Sequence, residues 1–237
     1  LDRIVFKIIP SNEVGSAQIR AGEIDILWNL TEAQIPEFEA IPDIALQVTP
    51  SSNIEYLGLN LSMRGMADPS MAHPILGDRA VREALASAID RTPIIDELLN
   101  GKSEVATSPI GLGWASPEGI AVPAYDPAKA QSLLESAGWV DGDGDGIREK
   151  GGTKLSLEIS TPAGSQLREL SQALLQEQFK AVGIDLVINN VPAATLFGNW
   201  AENGKLKRGD FDIVMDTWGA DLDPDDFSKG RRVQTHL

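Results

Sequence analysis

Apolar positions along the chain switch repeatedly between a period of two and a period of three to four. Ile4 to Ile9 is apolar and β-branched and stops at Pro10, which predicts a strand. A short helix is expected over Val14 to Ala21, ended by Gly22, and Gly22 to Trp28 reads as a second strand. Thr31 and Gln34 have capping-box spacing, so a short helix opens there, bent or shortened by Pro36. Ile44 to Val48 is a third strand. Ser52 to Leu61 is a fourth, with Ile54, Tyr56, Gly58 and Asn60 on one face and Leu57, Leu59 and Leu61 on the other.

The later elements carry stronger punctuation. Asp78 caps a helix whose buried stripe is Val81, Ala84, Leu85, Ala88 and Ile89. Thr92-Pro93 reads as an N-cap followed by Pro in the first turn, and Gly101 stops that helix. Asp126-Pro127 repeats the device, with Gly138 as the stop. Leu155, Leu157 and Ile159 alternate with polar residues and predict a half-buried strand. Leu167, Leu170, Leu174, Phe179 and Val182 outline a longer helix ended by Gly183. Strands follow over Ile184 to Ile188 and Phe211 to Thr217, with a short helix over Pro192 to Trp200 between them. Strands and helices alternate throughout, so the fold class is α/β.

The 237 residues leave room for one large or two modest domains. The net charge of −15 argues against nucleic acid and anionic membrane as partners, because both recruit clusters of Lys and Arg. No apolar run approaches the roughly 18 residues that span a bilayer. The absence of cysteine excludes disulfides, thiolate catalysis and Cys-ligated zinc. The chain opens at Leu1, a few residues before a strand, and is read as a piece of a longer protein.

Three segments carry candidate chemistry. The strand ending at Thr217 runs into an acidic turn with Trp218, Asp221, Asp223, Asp225 and Asp226. A carboxylate at a strand end beside an indole suits a charge-assisted contact to a ligand; the plainer alternative is an acidic surface loop with Trp218 in the core. Asp141, Asp143, Asp145, the Ile147 carbonyl and Glu149 have the spacing of positions 1, 3, 5, 7 and 9 of an EF-hand-type loop. Position 12 is Gly152, so the bidentate Glu is missing. A structural Ca²⁺ site and a plain acidic turn both fit. Trp114 lies in a Gly-rich loop, where it either lines a pocket or anchors the loop.

Catalytic patterns fail. The only histidines are His73 and His236, and there is no G-x-S-x-G. Gly101-Lys102-Ser103 has the end of a P-loop, but the required first Gly is Asp96. No catalytic residues are expected, and a hydrolase using His73 is the remaining enzymatic alternative.

The segment Trp218-Gly-Ala-Asp221-Leu-Asp-Pro224 resembles the W-x-A-D-Y-x-x-P segment of family 5 solute-binding proteins, the extracytoplasmic peptide receptors of ABC importers. Ala21-Gly-Glu-Ile-Asp-Ile26 is similar to that family's G-E-x-D segment, and Tyr56-Leu-Gly-Leu-Asn60 to its Y-x-x-x-N strand. Arg79 to Arg91 resembles its V-R-x-A-x-x-x-A-I-D-R helix. Tyr125 to Trp139 resembles Y-D-P-x-x-A-x-x-L-L-x-x-A-G-W, and Ala181-Val-Gly-Ile-Asp185 its helix-to-strand turn. The blocks occur in family order over nearly the whole chain.

The resemblance implies a two-lobed, type II-like periplasmic receptor with a mixed sheet flanked by helices. Residues 1–56 would belong to a partial first lobe, 57–227 to an incomplete second lobe, and 228–237 to a departing tail. It implies capture of a peptide, or of a nickel chelate, oligosaccharide or opine, for delivery to an ABC permease in the membrane. Location would be periplasmic or extracellular, at the membrane through a lipid anchor or the permease. Asp221 would pair with a peptide α-ammonium, with Trp218, Tyr56, Asn60 and Trp114 as further contacts. Some relatives carry an Arg three residues before this Trp that pairs with a peptide carboxylate; here it is Met215. An alternative of another class is a calcium-stabilised structural module.

Overall fold

The computed structural model describes residues 2–49, 51–66, 68, 70–108, 114 and 117–219. Alternation in Leu155, Leu157 and Ile159 places three fully buried side chains along β4 (Ser156–Ser160) and its approach. Parallel strands flank β4, with β5 (Asp185–Ile188) on one side and β6 (Ile213–Gly219) on the other. Beyond β6 lies β1 (Asn53–Leu59), antiparallel, so the sheet is mixed with order β1-β6-β4-β5. A small hairpin of β2 (Glu149–Lys150) and β3 (Thr153–Lys154) stands apart.

The predicted helix caps form. Asp78 accepts a hydrogen bond from the Ala80 N–H (3.0 Å) and opens α3 (Arg79–Ala88). Asp126 accepts from the Lys129 N–H (2.8 Å) and opens α4 (Pro127–Ser136). The left-handed backbone that follows α4 falls on Gly138, φ +85°, which needs a residue without Cβ. At Thr92 the detail differs. The Thr92 side chain does not cap: Asp90 accepts from the Thr92 N–H (3.0 Å), and residues Ile94–Leu98 wind as a wide π-type turn with no side-chain cap.

Helix α5 (Gln166–Lys180) buries a face rotated from the predicted one. Leu170 is exposed, whereas Ser171, Gln172, Leu175 and Phe179 are buried. Gln172 goes inside because Asn190 meets it amide to amide, with bonds of 3.0 and 2.8 Å that satisfy both polar ends. Two short helices, α6 (Ala193–Phe197) and α7 (Lys205–Arg208), lead into β6. Leu76, Val81, Leu134, Trp139, Phe179, Leu186 and Ile213 join the β4 residues in one core.

Residues 2–49 behave differently. Helices α1 (Asn12–Arg20) and α2 (Ile35–Glu39) form, and Gln34 accepts from the Thr31 N–H as the capping box requires. The predicted strands at Ile4 to Ile9, Gly22 to Trp28 and Ile44 to Val48 do not pair with any strand among the described residues. A strand persists only where a neighbour takes its N–H and C=O groups, and none is in register with these three. Their apolar side chains stand in solvent: Phe6 is 91% exposed and Trp28 82%. Asn100 donating to the Glu32 carbonyl (2.8 Å) and the Lys102–Glu39 ion pair (2.6 Å) tie this region to the rest.

Candidate functional site

Strand β6 outruns its parallel neighbour. It pairs with β4 only at Ile213 and Val214, yet pairs with β1 along its full length, Asn53 opposite Gly219 to Leu59 opposite Ile213. Met215 to Gly219 and Asn53 to Leu57 therefore project as a two-stranded ribbon. The ribbon carries Tyr56 opposite Asp216, and Ile54 opposite Trp218, both aromatic rings half-buried. A Cβ at Gly58 would lie 3.2 Å from the Tyr56 ring and 2.8 Å from Val214, so glycine lets the ring fold back over the strand. Burial raises the Tyr56 phenol above its ordinary value, reinforced by the negative Asp216 and Glu55 and opposed by Arg168.

Arg168, in the first turn of α5, gathers the ribbon. Its Nε donates to Glu55 at 2.6 Å, and its Nη2 to Thr217 Oγ1 at 2.7 Å with Asp216 Oδ1 at 3.2 Å. Nη1 reaches Thr161 Oγ1, just past the end of β4, at 3.3 Å. The Thr217 hydroxyl itself donates to Glu55 at 2.5 Å. None of this was anticipated, because Arg168 and Glu55 are 113 positions apart and neither sits in a recognisable pattern.

The remaining candidates are scattered. Asn60 lies at the other end of β1, four residues from Tyr56 and about 13 Å along the strand. It is buried, donating to the carbonyls of Gly209 (3.0 Å) and Phe211 (2.8 Å) and accepting from the Ser62 N–H (3.1 Å). Trp114 is 74% exposed. Asp221 lies outside the described residues, two positions beyond the end of β6.

The acidic loop closes on itself between Val140 and Glu149, which form an antiparallel bridge. Asp141 accepts from the N–H groups of Gly144 (2.7 Å) and Gly146 (2.9 Å), the latter at φ +90°. Asp141, Asp143 and Glu149 each bring one carboxylate oxygen within 4.8 Å of the others. Glu149 Oε1 accepts from the Gly142 N–H (2.8 Å), while its Oε2 is buried with no partner. Asp145 accepts from the Ile147 N–H and turns to the Lys154 ammonium, which also reaches Asp143 at 3.3 Å. That ammonium is the chief reason the Asp145 carboxyl is lowered below its ordinary value. Three of the four predicted carboxylates thus converge, and the fourth is held by a lysine.

His73 belongs to a buried network at the root of β6. Its Nδ1 accepts from the N–H groups of Ile75 (3.1 Å) and Leu76 (2.9 Å), so the proton sits on Nε2, 3.1 Å from Asp212 Oδ1. Asp212 also accepts from the Glu158 N–H (2.8 Å), and Arg64 bridges Asp210 and Glu158. Burial pushes the Asp212 carboxyl up, but His73, the Glu158 N–H and Arg64 together hold it below its ordinary value. With both ring nitrogens engaged and the side chain 4% exposed, His73 is a joist between loop and strand, with no lone pair left to act as a general base.

Residues 1–232 match the profile of bacterial extracellular solute-binding proteins, family 5 Middle. The chain belongs to that family. It is 31% identical over 230 residues to the oligopeptide-binding protein AppA of Bacillus subtilis, covering 96% of this chain and 40% of that protein. It is 28% identical over 244 residues to the nickel-binding periplasmic protein of Escherichia coli, covering 100% of this chain and 43% of that one. The chain therefore spans well under half the length of these relatives.

The solved structure of AppA from Bacillus subtilis in complex with a nonapeptide superposes with a TM-score of 0.74 at 28% identity, over 96% of this chain and 43% of AppA. That of NikA from Brucella suis in complex with Fe(III)-EDTA gives 0.79 at 25% identity, over 97% and 44%. The fold is accordingly that of a partial lobe of a type II periplasmic binding protein. Among the described residues no helix is long and apolar enough to cross a membrane.

Proposed function

We propose that this family 5 chain is part of the substrate-binding component of an ABC importer, and that the whole protein captures peptides between two lobes and hands them to a membrane permease. Residues 1–56 contribute to the first lobe, 57–227 to the second, and 228–237 lie beyond it. The single observation that carries the reading is the β1–β6 ribbon. It projects beyond the sheet, presents Tyr56 and Trp218, and ends at Gly219, two positions before Asp221 in the sequence. Glu55 and Asp216 share one cation, Arg168, so the ribbon keeps an excess negative charge that suits an amine-bearing solute.

Asp221 anchors the α-ammonium, and Trp218 and Tyr56 pack the adjoining residues. Met215 cannot pair with a carboxylate, so peptide length is not fixed from that position. Asn60 supports the strand from behind, and Trp114 is a secondary contact. The whole protein works outside the cytoplasm and stays at the membrane through a lipid anchor or its permease. A nickel chelate is the second reading, favoured by the identity to a nickel-binding periplasmic protein.

Native mass spectrometry of the full-length protein tests the choice. A ladder of co-purified peptide masses that vanishes in Asp221→Ala is expected. A single non-peptide mass, or a ladder indifferent to the substitution, removes the peptide assignment and the role of Asp221.

We also propose that the loop from Asp141 to Glu149 takes a structural Ca²⁺. The donor set fits: three hard carboxylates meet, and the unpartnered Glu149 Oε2 is a buried acceptor that a cation would satisfy. Asp141, Asp143 and Glu149 would hold it, with Asp145 joining if Lys154 withdraws and the Ile147 carbonyl completing the set. Bound Ca²⁺ would supply charge neutralisation and a rigid loop. Calorimetry at millimolar Ca²⁺ should give a binding isotherm that Glu149→Gln abolishes; a flat titration of the wild type removes the proposal.

A further inference from the structure

The ribbon raises a mechanical problem. An isolated pair of strands is marginal in water, and Met215 to Gly219 have no third strand beside them among the described residues. Nevertheless these residues lead to the position where the solute is to be gripped. We propose that Arg168 is a positioning residue: it fixes the ribbon to the lobe and so sets the direction in which Trp218 faces the solute.

The geometry is that of a clip. Where β4 stops, at Ser160, the guanidinium of Arg168 takes over as the neighbour of β6. It joins Glu55 of β1, Thr217 and Asp216 of β6, and Thr161 after β4 through one planar group. Arg168 is anchored on the longest helix of the described residues, whose far end packs Leu175 and Phe179 into the core. Its side chain is only 14% exposed, which holds the guanidinium in place, while its partners Glu55 and Thr217 stay open to solvent. A guanidinium can serve four acceptors at fixed angles; a lysine ammonium, with three donors on a flexible stem, cannot. Arg168 spends its guanidinium on the protein's own Glu55, Asp216, Thr217 and Thr161. It acts through the ribbon's orientation, so its loss weakens solute grip without removing a contact.

The link to affinity rests on the receptor reading above, but the clip itself does not, and the experiment separates them. Hydrogen exchange of the full-length protein is followed for wild type, Arg168→Met, Arg168→Lys and Thr217→Val, alongside capture of a synthetic pool of nonapeptides. In Arg168→Met, amide exchange at residues 53–57 and 215–219 should rise about tenfold, the scale of losing charged hydrogen bonds, with Leu157 and Leu175 unchanged. Peptide affinity should fall by a similar factor. Thr217→Val keeps the shape and strand preference and should reproduce a smaller part of both effects; Arg168→Lys should not rescue them.

Unchanged ribbon exchange, or a rise spread evenly over the lobe, overturns the proposal. So does unchanged peptide affinity with a loosened ribbon. If the wild type captures no peptide, the peptide assignment fails, and the ribbon's exchange alone decides the clip: a local rise sustains it and none refutes it.

Discussion

Leu157 and Phe6 both sit at strand-patterned apolar positions, and the structure treats them in opposite ways. Leu157 is fully buried, while Phe6 is 91% exposed. The difference lies in the neighbours. Leu157 belongs to a strand with parallel partners on both sides and α3 and α5 supplying the covering apolar residues. Phe6 belongs to a near-continuous apolar, β-branched run, and no strand lies beside it among the described residues. A strand-like pattern of apolar residues states that a segment can be a strand; only a partner in register makes it one.

Three substitutions press on this contrast. The largest effect is expected from Leu157→Ala, which should lower the unfolding free energy by about 3 kcal/mol through lost burial and a residual cavity. Urea titration followed by tryptophan fluorescence measures it.

Next comes Asp212→Asn, with an expected cost of about 2 kcal/mol at neutral pH from broken charged hydrogen bonds. Its signature is pH dependence. Asp212 and Glu158 are both held below their ordinary carboxyl values when folded, so the unfolded chain protonates first as pH falls. Their stabilisation is complete above the ordinary carboxylate range and is lost as pH drops below about 4 towards the lowered folded values. The wild-type unfolding midpoint should fall steeply there and that of Asp212→Asn less so; parallel slopes would remove the network from the account.

Smallest is Ile8→Ser, expected to change stability by less than about 0.5 kcal/mol, since Ile8 is fully exposed. A loss as large as that of Leu157→Ala would show that residues 2–9 are packed in solution and erase the contrast.

Much of the second region was legible because its signals are local. Asp78 and Asp126 cap helices a few residues away, and the alternation at Leu155, Leu157 and Ile159 needs only the pleat. The features that failed to show are those settled across long separations. Gln172 was polar by composition but is buried by Asn190, which turned α5 on its axis. His73 reads as a candidate base until Asp212, 139 positions later, is seen to occupy it. Asp141, Asp143 and Glu149 sit close in the chain and do converge, yet Asp145 is diverted by Lys154, which the β2–β3 hairpin folds back onto the loop. The ribbon was half visible: Tyr56 and Trp218 stood out as aromatics, and the arginine holding their strands did not.

The antiparallel place of β1 has a consequence in time. Glu55 and Thr217 touch across 162 positions of chain, so β1 is made long before the strand that completes it. At ordinary synthesis rates residues 60–212 take roughly 8 to 30 s to follow. For that interval the backbone edge of β1 that β6 will pair with is open, while the parallel pair β4 and β5, joined through α5, can already close. The order of assembly is then the reverse of the order in sequence: the middle of the chain sets first, and its earliest strand of the sheet waits for the last. A chaperone that meets the growing chain would find a long-lived open edge there.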